Sequence, residues 1–242
     1  MRILVFQHLD IEHPGIFRDF FNADSIPWDV VELDQGELIP PFDSYDALVV
    51  MGGPMDVWEE DEHPWLIPEK RAIREAVVDR RMPYLGVCLG HQLLGDALGG
   101  RVGKAPQPEV GIMDVHLTDA ARGDTLFSGI PPTSACLQWH GAAVLEPPPG
   151  ASVLARSPVC EVQAMRVGSC AYGIQFHVEV THETVPQWAA IPAYKAALEK
   201  VLGAGAASKL EVETKEKLPI FAKGARTLYD NFMRLVRERR SA

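Results

Sequence analysis

Tyr84-Leu85-Gly86-Val87-Cys88-Leu89-Gly90-His91-Gln92 decides how this chain is read. Pro83 precedes a short apolar run, Tyr84 to Val87, with the length of a buried strand. Leu93, Leu94, Ala97 and Leu98 then recur at helical spacing, and Gly99-Gly100 stops the helix. Cys88 falls on the turn between the two. A nucleophile at a strand-to-helix turn needs small neighbours two positions away on each side, and here those are Gly86 and Gly90, a cysteine version of the G-x-S-x-G elbow. Such a turn lifts the sulfur to the sheet edge, and the helix N-terminus beyond it favours a thiolate.

The flanking sequence predicts an α/β fold. Arg2 to Phe6, Trp28 to Leu33 and Ala47 to Met51 are short apolar runs of strand type. Phe17, Phe20 and Phe21 share a helical face between the first two. Pro68 is expected to open a helix with Glu69 in its first turn and Arg80-Arg81 in its last, as the helix dipole prefers. This alternation predicts a doubly wound, mostly parallel central sheet with flanking helices, layered like a flavodoxin. Ligands in such sheets bind outside the carboxyl ends of strands, where Gly52-Gly53 and Cys88 both lie.

After Gly100 the texture becomes β-rich. Ile112 to Leu117, Ala135 to Trp139, Val153 to Arg156, Val162 to Val167 and Ala171 to Phe176 read as extra strands that extend the sheet or pack a layer beside it. Thr181 is expected to cap a helix from about Glu183 to Leu202, bent at Pro192. Gly203 to Ser208 reads as a hinge. An amphipathic pattern over 210–240 predicts a C-terminal docking helix. With no repeat and no clear boundary, residues 1–242 are expected to form one domain.

Composition narrows the function. Of 242 residues, 47% are apolar, and the net charge of −10 argues against nucleic acid or an anionic membrane as partner. The four cysteines, Cys88, Cys136, Cys160 and Cys170, show no C-x-x-C pair, so a reducing cytoplasm is the expected home. Cys136, Cys160 and Cys170 are expected on strands, packed as small hydrophobes. The N-terminal apolar run is too short for a signal peptide, and no stretch approaches a membrane span. No spacing of His116, His140 or His182 with acidic residues suggests a metal, and no cofactor is expected.

A thiolate nucleophile needs a base and a group that orients the base. Gly173-Ile174-Gln175-Phe176-His177-Val178-Glu179 offers both, because residues two apart on an extended segment share a face. His8, Glu12 and Gly15, after the first strand, read first as ordinary surface polarity and second as a pocket rim. The acidic run Trp58-Glu59-Glu60-Asp61-Glu62-His63 reads as a solvated loop, with a lid or partner contact as the alternative.

Taken together, G-x-C-x-G-x-Q and the later Q-F-H-x-E closely resemble the class I (triad) glutamine amidotransferases. Met51-Gly52-Gly53-Pro54 looks like that family's oxyanion loop, and Glu109-Val110-Gly111 like its glutamine-side loop. Trp139-His140-Gly141 resembles the W-H-G segment of the branch similar to the amidotransferase domain of GMP synthetase. The resemblance implies that Cys88 attacks a glutamine carboxamide, that His177 moves the proton and that Glu179 orients His177. It implies an oxyanion hole from the Gly53 and Leu89 N–H groups, and substrate contacts from Gly52, Gln92, Gln138, Trp139 and His140.

Ala142 departs from the Asp that often follows W-H-G in this branch. No synthetase domain and no G-x-x-x-x-G-K-[ST] loop follow. The substrate therefore stays open between free glutamine, with ammonia passed to a separate synthetase subunit, and a γ-glutamyl conjugate or peptide cleaved without a partner. A non-catalytic binding or regulatory protein on the same fold is the third reading. An α/β-hydrolase is disfavoured, because its order is nucleophile, acid, then histidine.

Overall fold

The computed structural model describes residues 1–241. One nine-stranded mixed sheet runs through the molecule. Its parallel half consists of β1 (Ile3–Gln7), β2 (Trp28–Glu32), β3 (Ala47–Val50), β4 (Tyr84–Val87) and, from the far end of the chain, β9 (Ala171–Ile174). The antiparallel half consists of β5 (Arg101–Leu117), β6 (Thr133–Glu146), β7 (Ser152–Arg156) and β8 (Ala164–Val167). The order is β2-β1-β3-β4-β9-β8-β7-β5-β6, so the β-rich segment extends the sheet and does not stack on it.

Alternation along the central strands sorts side chains onto two faces. Ile3 and Val5 of β1 join Val49 and Leu85 in one core, with Phe17 and Phe21 of α1 (Phe17–Ala23) and the C-terminal helix. Leu4 and Phe6 join Leu48, Val50 and Tyr84 in the other. That second core is covered by α2 (Leu66–Arg74), which runs on as a π turn over Glu75–Asp79, and by α3 (Leu89–Ala97). Full burial of each such apolar side chain contributes about 1.5–3 kcal/mol, so β1, apolar on both faces, anchors both layers.

The expected single helix near Glu183–Leu202 is two helices, α4 (Thr184–Ala190) and α5 (Pro192–Leu202). Ile191 between them is extended, at φ −80° and ψ 125°. A residue before proline is pushed out of the helical region, and Pro192 then serves as the first residue of a new helix, not as a bend in an old one. Thr181 does not cap α4 either, since Glu183 holds that position without a side-chain cap.

The last helix, α6 (Ala206–Arg240), begins four residues before the expected start and absorbs much of the expected hinge. Only Gly203 and Gly205, both at positive φ, remain to turn the chain. Its first half packs Leu210 and Phe221 against Val110, Trp139 and Trp188. Its second half packs Leu228, Phe232 and Val236 under the parallel strands. Cys136 lies on β6, whereas Cys160 and Cys170 lie in the turns before β8 and β9; all three are buried.

Candidate active site

β4 ends at Val87, α3 begins at Leu89, and Cys88 alone makes the turn, at φ 51° and ψ −102°. Non-glycine residues rarely adopt this conformation, and it persists only where the surroundings enforce it. They do so here. The Cys88 N–H donates to Ile174 O on β9, and the Gly90 N–H donates to Met51 O at the end of β3. Tyr84 donates its hydroxyl to Gly90 O at 2.7 Å. A Cβ on Gly90 would stand 2.2 Å from Val50 O, and one on Gly86 2.4 Å from Gly90 O, so neither site admits a side chain without moving backbone. The Leu89 N–H, first in its helix, has no carbonyl a turn earlier to receive it.

His177 arrives from the segment just beyond β9, its N–H donating to Leu137 O of β6. Its Nδ1 lies 2.7 Å from Glu179 Oε1, and Cys88 is near enough to act on its protonation. Glu179 Oε2 accepts the Val178 N–H at 2.9 Å, which fixes the carboxylate plane. Trp188 stands edge-on to the imidazole, with ring centroids 4.5 Å apart. Burial alone would lower the His177 pKa. The Glu179 charge, with hydrogen bonds to Cys88 and Glu179, outweighs it and raises the pKa well above the ordinary value. Cys88, His177 and Glu179 thus meet in one buried cluster.

The loop after β1 backs this cluster. Glu179 O accepts the Ile16 N–H, and a Cβ on Gly15 would overlap that same oxygen. Glycine, at φ 51°, is what lets the two loops touch. His8 and Glu12, read as surface or rim residues, are instead 0% and 2% exposed. Hydrophilicity at a strand end was a misleading guide, because these side chains are bonded inward. Glu12 accepts the Tyr194 hydroxyl at 2.5 Å, and burial raises its pKa against the pull of His177 and of that bond.

Cys88 opens into a cavity of about 380 Å³. Gly53 and Pro54 form one wall, Gln92 of α3 another, and Trp139, His140 and Ala142 of β6 a third; α5 closes the far side with Tyr194 and Ala197. Gly52 and Gln138 stand behind this lining. The Gly52 carbonyl faces His8 at 2.8 Å, and the Gln138 amide donates to Gln163 Oε1 at 2.9 Å. Gln92 donates to Ala142 O and to Gln175 Oε1, both at 3.1 Å. Gln175 in turn reaches the Cys88 sulfur at 3.5 Å. His140 sits between Ala142 O at 2.9 Å and Glu109 Oε2 at 3.1 Å. The Ala142 carbonyl thus ties Gln92 to His140.

Three further residues reach the site. Gln175 belongs to the Q-F-H-x-E motif, which by itself assigns it no role, although it stands two residues before His177 in an extended run. Trp188 and Tyr194 carry no such local signal. Among the described residues, no three His, Cys, Asp or Glu side chains group as a metal would require, and no helix is long and apolar enough to cross a membrane.

Comparison with known proteins converges on one description. Residues 21–188 match the family model for Glutamine amidotransferase class-I. Over 155 residues the chain is 34% identical to one of the subunits of the glutamine-hydrolysing GMP synthase of Sulfolobus acidocaldarius, covering 64% of this chain and 78% of that one. Over 195 residues it is 34% identical to the glutamine amidotransferase-like protein YfeJ of Salmonella typhimurium, covering 76% and 78%. The crystal structure of a glutamine amidotransferase from Thermotoga maritima matches with a TM-score of 0.86 at 29% identity, covering 96% of this chain and 97% of that one.

Proposed function

The chain belongs to the class-I glutamine amidotransferases, whose general chemistry is cysteine-dependent hydrolysis of the glutamine amide, and from that premise we propose that it opens a γ-glutamyl amide through a thioester on Cys88. His177 takes the thiol proton and returns it to the departing nitrogen. Glu179 holds His177 in the right tautomer and stabilises the imidazolium. The Leu89 and Gly53 N–H groups receive the oxyanion; each such donor typically accounts for about 10²–10³ in kcat. Water then attacks the thioester, with His177 as base, to release glutamate.

The observation that carries this reading is that Cys88, held at positive φ and lining the cavity, lies beside the buried His177–Glu179 pair. Burial pushes Cys136 up to about 12 and Cys160 up to about 11, so neither offers a thiolate at neutral pH. Gln92, Trp139 and His140 line the cavity and are placed to meet the amino-acid end of a glutamyl group. Gln138 and Gly52 act from behind, by fixing neighbours.

Two substrates fit this chemistry. Resemblance to a GMP synthase subunit supports free glutamine, with ammonia passed to a separate synthetase subunit. The cavity, which runs on past Cys88 to Ala197 and Val201 of α5, supports a γ-glutamyl conjugate or peptide, whose departing amine needs room. Purified protein assayed for glutamate release from glutamine and from a panel of γ-glutamyl amides decides between them. A conjugate cleaved well by the protein alone supports the hydrolase. Weak glutamine turnover that rises on adding a synthetase supports the amidotransferase role. Inactivity on all of them, alone and with cell extract, favours a binding protein and overturns the catalytic reading.

A further inference from the structure

His8 follows β1 and is wholly buried, and each of its ring nitrogens faces an acceptor. Nδ1 is 2.8 Å from the Gly52 carbonyl oxygen, and Nε2 is 2.9 Å from Glu69 Oε1 on α2. Trp65 stacks on the ring at 5.4 Å and 16°, which fixes its plane. A neutral imidazole has one N–H and could serve only one of these acceptors, leaving a lone pair against the other. Two acceptors at these distances call for one proton more. The charged groups that face His8 are Glu69 on α2 and, from the loop after β1, Glu12. Both favour the protonated ring.

What the ring holds matters for the site. The peptide between Gly52 and Gly53 has no Cβ on either side and is the freest to rotate in this loop. In a planar trans peptide the C=O and the following N–H point in opposite directions. Fixing the Gly52 carbonyl therefore fixes the Gly53 N–H. Gly53 lines the cavity beside Cys88, and Gly52 does not.

We propose that His8, backed by Glu69, is a positioning residue that holds the Gly52 carbonyl away from the cavity, so that the Gly53 N–H stays turned toward the oxyanion that forms on the Cys88 adduct. The idea rests on the reading of Gly53 as an oxyanion donor. It makes the hole preformed in the isolated chain, against the rotatable loop that two adjacent glycines suggest.

Two substitutions separate the partners of His8. The amide nitrogen of Asn sits near the place of Nδ1, and that of Gln near the place of Nε2. His8→Asn keeps a donor for Gly52, and its kcat on the best γ-glutamyl amide should stay within a few-fold of wild type. His8→Gln keeps a donor for Glu69 alone, and its kcat should fall about tenfold or more with KM little changed. Alkylation of Cys88 by iodoacetamide forms no oxyanion and should run at the wild-type rate in both. Equal losses in the two variants, or alkylation falling with turnover, would overturn the proposal. Nitrogen-15 NMR of the wild-type protein provides a test without substrate. The account expects a proton on Nδ1 of His8 at pH 7, and an unprotonated Nδ1 would sink it. A wild type inactive on every γ-glutamyl amide would refute the functional reading, while the NMR result would still decide the clamp.

Discussion

Two buried histidines stand on either side of Gly52, and each is paired with a buried carboxylate. His177 and Glu179 are two residues apart, and their pair is turned to the Cys88 thiol. His8 and Glu69 are 61 residues apart, and their pair is turned to a backbone carbonyl. In both, burial alone would lower the imidazole pKa, and the carboxylate outweighs it to raise the pKa. The same charge pair thus serves two ends. Beside a thiol it can move a proton; beside a peptide it can only hold a shape.

That contrast predicts unequal losses. The largest belong to the pair that meets the thiol. Cys88→Ala and His177→Gln should each lower turnover by about 10³-fold or more, as groups that act as one unit do. Glu179→Ala should cost less, because it removes orientation and leaves the imidazole. Steady-state kinetics on folded variants checks this, and a Glu179→Ala loss equal to that of Cys88→Ala would give the carboxylate a direct chemical role.

At the second pair, changes of the carboxylate should appear chiefly in stability. Glu69→Ala leaves a buried imidazole without its counter-charge and should cost about 3–5 kcal/mol in denaturant unfolding. Glu69→Gln, which can still bond Nε2, should cost less. The folded-state pKa of His8 is raised, so the stability tied to its proton is fully present below the unfolded value of about 6.5. It is lost as pH rises through the folded value. The stability gap between wild type and Glu69→Gln should therefore narrow with rising pH, and a gap that widened would contradict the charged pair.

The smallest effect belongs to Glu12, a carboxyl whose pKa is raised by burial next to both histidines. A raised carboxyl binds its proton more tightly when folded, so it costs stability above the unfolded value near 4.5. Glu12→Gln, which keeps an acceptor for Tyr194, should be slightly more stable than wild type at pH 7–8. The advantage should shrink below about pH 4.5, and thermal melts across this range measure it. An advantage confined to acid pH would reverse the assignment.

How far the sequence could be read follows the same division. The glycines around Cys88 and the spacing of His177 and Glu179 are local, and local spacing marks strands, the elbow and the short-range pair. The continuous apolar runs of β1, β3 and β4 likewise mark strands buried on both faces. The His8–Glu69 pair had no such mark, since only the parallel pairing of β1 with β3 and the packing of α2 bring the two residues together. The break at Ile191 was in principle readable from Pro192, but a helical pattern continuing on both sides concealed it. Glu12 is buried for a reason that local spacing does not carry: a charged residue in a loop is normally solvated, and His177 and Tyr194, both from late in the chain, offset its burial.

The most direct test of the central claim is to trap the acyl enzyme. Protein mixed with its best γ-glutamyl substrate, quenched in acid during turnover and digested, should carry a γ-glutamyl adduct on the peptide containing Cys88. The adduct should be sensitive to hydroxylamine, as a thioester is, and absent from Cys88→Ala. An adduct on Cys136, Cys160 or Cys170, or turnover that survives in Cys88→Ala, would contradict the account.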